Sequence, residues 1–480
     1  MRFGLLLAFG LCGLALAAQS SITLERTPHA LMVERAAFIA IEVGAVSEFC
    51  RLLEQMTDKN SYNESGNTLL QCAIMRAQLE MVECLLQFAD VDIDRKAVHS
   101  GMTAVHLAAE RDDAQILEVL LQRSPMLDEQ DNAGSTALYL ATRWNRLENV
   151  QLLLGKGASV NVYKSPAHSA LYEAVFTGRA EIVRCLLKHG PKMDELYYPD
   201  YTLLHVAAEG GHVSVAEQII DYEEAQSGSN QSSLLNREDG CGAVPLHFAA
   251  EYGHLSVVQL LVRKHANINA TKYMGETALH LASQNGHGAI VKYLLEMNAV
   301  RNQHDYFGLP FHYAARAGLF EVVKLMVDMD KDLITASDAT NSDWRMQSAP
   351  LVFEKTTEES IALHLAAQSG NLDLVKFLFA LNPAVNARDA SDETPLHYAA
   401  ANGHLSVVQF LVMNDADVDA IKRANQTAQC FALRKQHYHV AMFLKGSGGT
   451  AEPVTYSMYS EEPDYDLFSR SSSEAMRKGI

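Results

Sequence analysis

At 480 residues the chain could hold about three ordinary globular domains, a prior that fails if it repeats. A content of 48% hydrophobic and 20% charged residues, with 28 Gly and 12 Pro, excludes collagen-like, low-complexity and wholly disordered classes. With 39 Lys and Arg against 58 Asp and Glu, the net charge of -19 would repel a phosphate backbone or an anionic membrane surface, so the reading expects no nucleic-acid partner.

In chain order, the first feature is Arg2 followed by an apolar run from Gly4 to Ala18 that carries the small-residue triplet Ala15-Leu16-Ala17. This layout predicts a secretory signal peptide over 1–18. The run is short of the roughly 20 residues a bilayer span needs, so an uncleaved anchor is the weaker alternative. The expectation is a secreted or periplasmic protein with no stable membrane insertion after cleavage. Residues 19–34 form a lead-in.

From about residue 35 a phrase recurs, clearest in Thr394-Pro395-Leu396-His397-Tyr398-Ala399-Ala400, followed by Asn402-Gly403-His404 and the apolar run Val407 to Val412. Its histidine slot holds Phe38, Gln71, His106, Tyr139, Tyr172, His205, His247, His280, His312, His364, His397 and Cys430. Most steps are 33 residues; one is 42 and one is 52. A fixed period of this length predicts a stacked solenoid. Each copy pairs an apolar stripe such as Leu279, Leu281 and Ala282 with a second one such as Ile290, Val291 and Leu294, which predicts two short helices per copy. The glycine between them (Gly44, Gly178, Gly211, Gly253, Gly286, Gly318, Gly370, Gly403) fits a left-handed residue closing the first helix.

The phrase and its period resemble the TPLH signature of ankyrin repeats, over about twelve copies within residues 35–445. The resemblance implies an all-α solenoid of stacked helix pairs with β-turn fingers, which binds another protein through its concave and finger surface. Copies one, two and twelve have lost the phrase, as edge repeats often do. Inserts are expected near 222–236 and 335–357, the second carrying Trp344 and Phe353, and 446–480 is expected to be a flexible acidic tail.

Histidine is the commonest catalytic and metal-ligating side chain, and there are 19. Seven fill the phrase slot and four (His212, His254, His287, His404) follow the break glycine, so a repeated hydrogen bond between adjacent turns accounts for them better than repeated active sites. His437-Tyr438-His439 lacks a third ligand and is a weak metal signal. There is no phosphate loop, nucleophile elbow, Cys-x-x-Cys or His-Glu-x-x-His motif. The chain is therefore expected to be a non-enzyme with no catalytic, cofactor-binding or metal residues, and a monomer.

Beyond the leader the cysteines are Cys50, Cys72, Cys84, Cys185, Cys241 and Cys430. Scattered in a chain too large to need staples, they read as mostly unpaired small hydrophobes. Cys50 and Cys72 are the only pair close enough in sequence and register to suggest a bond. Sequons stand at Asn63, Asn230, Asn269 and Asn425.

The leading function is an exported, non-catalytic protein that binds a protein partner. The alternative is a secreted effector or toxin component acting inside another cell, with the solenoid as targeting arm. The candidate contact residues lie six to nine positions before the slot, at the finger tips, where turn residues such as Asp, Asn and Gly are usual. Here the sequence supplies Tyr163, Tyr197, Tyr198, Tyr273 and Tyr306, with Phe307 beside them. Tyrosine offers large contact area at low entropic cost.

Overall fold

The computed structural model describes residues 28–163, 169–193, 200–227, 233–336, 354–382, 384–422 and 426–449, with backbone only over 330–336. The leader, the tail beyond 449, Trp344, Phe353 and two sequons lie outside these residues. Among the described residues there are 24 α-helices and no strand, only isolated antiparallel bridges such as Thr271 with Thr277 at the finger bases. The expected all-α repeat solenoid is what the chain forms.

The chain divides into two units. In the N-terminal one, first helices α1 (Pro28–Val43), α3 (Leu69–Met75), α5 (Ala104–Ala109), α7 (Ala137–Arg143), α9 (Ala170–Phe176) and α11 (Leu203–Glu209) pack in sequence, each on the next. Second helices α2 (Val46–Gln55), α4 (Leu79–Leu86), α6 (Gln115–Leu121), α8 (Leu147–Gly155), α10 (Ala180–Leu187) and α12 (Val213–Ser227) form a parallel layer. Helices α13 (Pro245–Glu251) and α14 (Leu255–Arg263) follow. In the C-terminal unit α15 (Ala278–Gln284), α17 (Pro310–Arg316), α19 (Ala362–Ser369), α21 (Pro395–Ala401) and α23 (Ala428–Arg434) stack in the same way. Their layer of second helices is α16 (Gly288–Glu296), α18 (Phe320–Ala336), α20 (Leu372–Leu381), α22 (Leu405–Met413) and α24 (Tyr438–Gly446).

Most first helices have only six to eight residues, too short to persist alone in water. They form because one face is sealed by the neighbouring repeat. The paired alanines Ala207-Ala208, Ala314-Ala315 and Ala399-Ala400 have no exposed surface, and their small side chains let adjacent helices approach. The stripes Ile290, Val291, Leu294 and Val407, Val408, Leu411 are likewise buried, at roughly 1.5–3 kcal/mol for each large side chain. The break glycines adopt the left-handed conformation, as expected. At Gly370, φ is +77°, and a Cβ would sit 2.4 Å from the His404 ring of the next repeat, so conformation and close approach both demand glycine.

The slot histidines make the repeated link. In α15, Nδ1 of His280 accepts from the Thr277 backbone N–H at 3.1 Å and lies 2.9 Å from the Thr277 hydroxyl. Nδ1 is thus the acceptor, which leaves Nε2–H to donate to the Gly308 carbonyl of the next finger at 3.3 Å. The same pair of bonds recurs at His106, His205 and His397. Leu309 and Ile361 offer no hydroxyl at the N-cap, so there His312 and His364 keep only the backbone contact on that side. Histidines after the break point the other way: Nε2 of His287 and of His404 each donate at 2.9 Å to a first-helix carbonyl of the preceding repeat.

Within the expected first insert α12 continues to Ser227, and a 3₁₀ turn over Ser233–Asn236 buries Leu235. The cysteine pairing needs correction. Cys50 is bonded to Cys84, not to Cys72, with Cα atoms 6.0 Å apart, and the bond joins equivalent turns of α2 and α4. Register along the stack, rather than separation along the chain, brings the two sulfurs together. Cys72, Cys185, Cys241 and Cys430 are free thiols.

Candidate functional site: the finger tips

A finger reverses the chain just before each first helix. In four fingers a carboxylate braces the turn: Asp131, Asp239, Asp305 and Asp389 each accept two backbone N–H groups at 2.7–2.9 Å. The finger before α15 has Lys272 at that position. Its turn is closed by the backbone alone, with Gly275 N–H donating to Lys272 O and Lys272 N–H to Glu276 O, both at 2.9 Å. Within that turn Met274 is left-handed, at φ +73°, and Gly275 follows at +90°. A non-glycine residue in this region is uncommon, and such departures concentrate at functional sites.

The turn throws Tyr273 outward, 77% exposed, with Met274 beside it. In the next finger Tyr306 is 73% exposed, and its N–H donates to the Met274 carbonyl at 3.0 Å, which ties the two tips together. Tyr273, Met274 and Tyr306 therefore form one exposed patch on adjoining tips, and the Lys272–Glu276 ion pair at 3.0 Å holds its base.

The other expected contact residues fare differently. Phe307 packs edge-on against Tyr313, with ring centres 5.2 Å apart, and the Arg316 guanidinium lies 5.1 Å from its own ring centre. Tyr313 in turn donates its hydroxyl to Asp305. Phe307 is thus half-buried in the repeat's own packing and stands apart from the two exposed tyrosines. Tyr163 is half-buried and lines a small cavity with Tyr172, Pro191 and Tyr201. Tyr197 and Tyr198 lie outside the described residues.

The N-terminal unit carries a second exposed set that the sequence reading did not single out. Trp144 and Phe176, 51% and 57% exposed, stand at the ends of α7 and α9, with Met75 at the end of α3. Trp144 Nε1 donates to Glu110 Oε1 at 3.1 Å, and Phe176 stacks on Tyr172 at 6.0 Å. The available signal was position: four and five residues after the slot, large apolar side chains remain more than half exposed.

Electrostatically the slots are quiet. Burial holds His205 and His312 down to about 4 and lowers His106, His280, His364 and His397, so all are neutral near pH 7. Among the described residues no three His, Cys, Asp or Glu side chains are grouped to hold a metal, and no helix is long and apolar enough to cross a membrane. His437 and His439 have ring centres 6.4 Å apart, and His439 Nε2 donates to the Gly403 carbonyl.

A family model described as ankyrin repeats in three copies matches residues 36–124, 90–164, 225–305, 246–338, 311–422 and 363–453. No curated protein sequence matches the chain. The stretch 165–224 falls between these matches, yet its helices α9–α12 repeat the same arrangement.

Proposed function

The chain belongs to the ankyrin-repeat family, and from that premise we propose that it is an exported, non-catalytic protein that binds a protein partner through its fingers and the open face of its first helices. Ankyrin repeats are in general protein-interaction modules. The observation that carries the reading here is the patch of Tyr273, Met274 and Tyr306. Large, half-apolar side chains stand in water on two adjoining tips, where they add nothing to the core of the stack. Such residues are the usual anchors of binding hot spots.

Two features support export: the leader pattern over 1–18 and the Cys50–Cys84 bond, since stable disulfides persist in oxidising compartments and are rare where thiols are kept reduced. Detecting the chain outside its producing cell tests this half of the reading. For binding, the full chain is used to capture its partner from the surrounding medium, and the measurement is repeated with Y273A/Y306A. Loss of capture at unchanged melting temperature is the expected result; unimpaired capture would move the interface elsewhere.

A further inference from the structure

We propose that Asn269 is an N-glycosylation site and that Asn63, the other sequon among the described residues, is not. This rests on the export reading, because the sugar donor, a lipid pyrophosphate-linked oligosaccharide, is met only by chains that enter a secretory lumen.

Asn269 occupies a position that recurs in the repeats, where an asparagine bridges to the following repeat. At three of these positions the side chain uses both ends. Asn60 Oδ1 accepts from Asp92 N–H at 2.8 Å and its Nδ2 donates to Asp90 O at 2.7 Å. Asn161 bridges to Lys192 and Gly190, and Asn386 to Asp417 and Asp415, in the same two-handed way. Asn269 keeps one hand: Oδ1 accepts from Val300 N–H at 2.8 Å, while Nδ2 makes no hydrogen bond and the residue is exposed. Thr271, which completes the sequon, is exposed as well.

Glycosylation suits that geometry. Nδ2 bonds to the anomeric carbon of the donor sugar and gives up one proton. The carbon–oxygen bond to the lipid pyrophosphate breaks with its electron pair, and the lipid pyrophosphate departs. The product is still an amide, so its carbonyl keeps the Val300 bond and the fold loses nothing, while the glycan leaves into solvent. At Asn63 the same reaction would cost contacts. That residue is half-buried, its Oδ1 accepts from Ser65 and Asn67 N–H, and its Nδ2 points at Cys72 Sγ at 3.3 Å.

The test uses the full chain carrying N230Q and N425Q in cultured animal cells, once with its own N-terminus and once with a standard cleavable leader in place of 1–18. Material from lumen and medium is treated with peptide-N-glycosidase in heavy-oxygen water and read by peptide mass spectrometry. The expected result is one glycan per chain, at Asn269, lost in N269Q and T271A and kept in T271S. A lumenal or secreted chain bare at Asn269, or modified at Asn63 instead, overturns the proposal. Modification under the substitute leader alone leaves the site standing and removes the export reading.

Discussion

In the C-terminal unit every slot from His247 to His397 holds a histidine, whereas in the N-terminal unit only His106 and His205 do, among Phe38, Gln71, Tyr139 and Tyr172. Gln71 shows how the link survives without the ring. Its Oε1 accepts from Thr68 N–H at 2.9 Å, and its Nε2 donates to Arg95 O and Met102 O at 2.8 and 3.0 Å. What the stack requires is an acceptor toward its own N-cap and a donor toward the next finger, which glutamine supplies in a different shape. The N-terminal unit adds supports that the C-terminal unit lacks among the described residues. The Cys50–Cys84 bond joins the first two second helices, α2 and α4, and buried Asn149 in α8 donates to Ala109 O and Arg111 O of an earlier repeat. The two units also expose different apolar side chains: Trp144 and Phe176 at first-helix ends in one, Tyr273 and Tyr306 at finger tips in the other.

Acid should separate the units most strongly. A slot histidine has a lower pKa folded than unfolded, so the unfolded chain takes up protons first. Stability is complete above the ordinary value of 6.5 and is lost as pH falls toward the folded value, about 4 for His312. At pH 5, His312 alone would cost about 2 kcal/mol. Four slot histidines of the C-terminal unit, His280, His312, His364 and His397, are lowered in this way, against His106 and His205 in the N-terminal unit. Hydrogen exchange at pH 7 and pH 5 should therefore show protection falling further in 278–413 than in 69–187; equal losses would mean that the slots do not set acid stability.

Removing one link comes next. His280→Ala strands the Thr277 N–H and the Gly308 carbonyl and opens a cavity, for a loss of roughly 3–5 kcal/mol by denaturant titration. His280→Gln should recover a substantial part of that loss, because Gln71 already performs the role; a glutamine no better than alanine would break the equivalence of the two units. Replacing Cys50 and Cys84 by Ser should cost about 2–4 kcal/mol and be felt mainly in 28–86, as faster exchange there with the C-terminal unit unchanged. Y273A/Y306A should have the smallest effect on folding, within about 0.5 kcal/mol, because both rings are mostly in water. A larger drop in stability would make the tips structural.

The repeat was legible because its signals are local. A glycine that must be left-handed, a threonine three residues before a histidine and paired alanines each constrain their own copy of the phrase, and the period repeats the message. The contacts that decided the remaining cases are tertiary. Phe307 reads as a tip residue until Tyr313 and Arg316, from the helix that follows its own finger, close over it. The Cys50–Cys84 pairing depends on how closely α2 and α4 approach, which a general spacing of about 10 Å per repeat does not show. Tyr273 and Tyr306 were recognisable because aromatic residues at turn positions have little to bury against, whereas the Met274 conformation and its bond to Tyr306 needed coordinates.

The claim that the finger tips carry binding is tested most directly by placing a photo-crosslinking amino acid singly at Tyr273, at Tyr306 and at Lys292, which is exposed on second helix α16. With partner-containing medium and illumination, positions 273 and 306 should give the same adduct and position 292 none. An adduct from 292, with none from either tip, would contradict it.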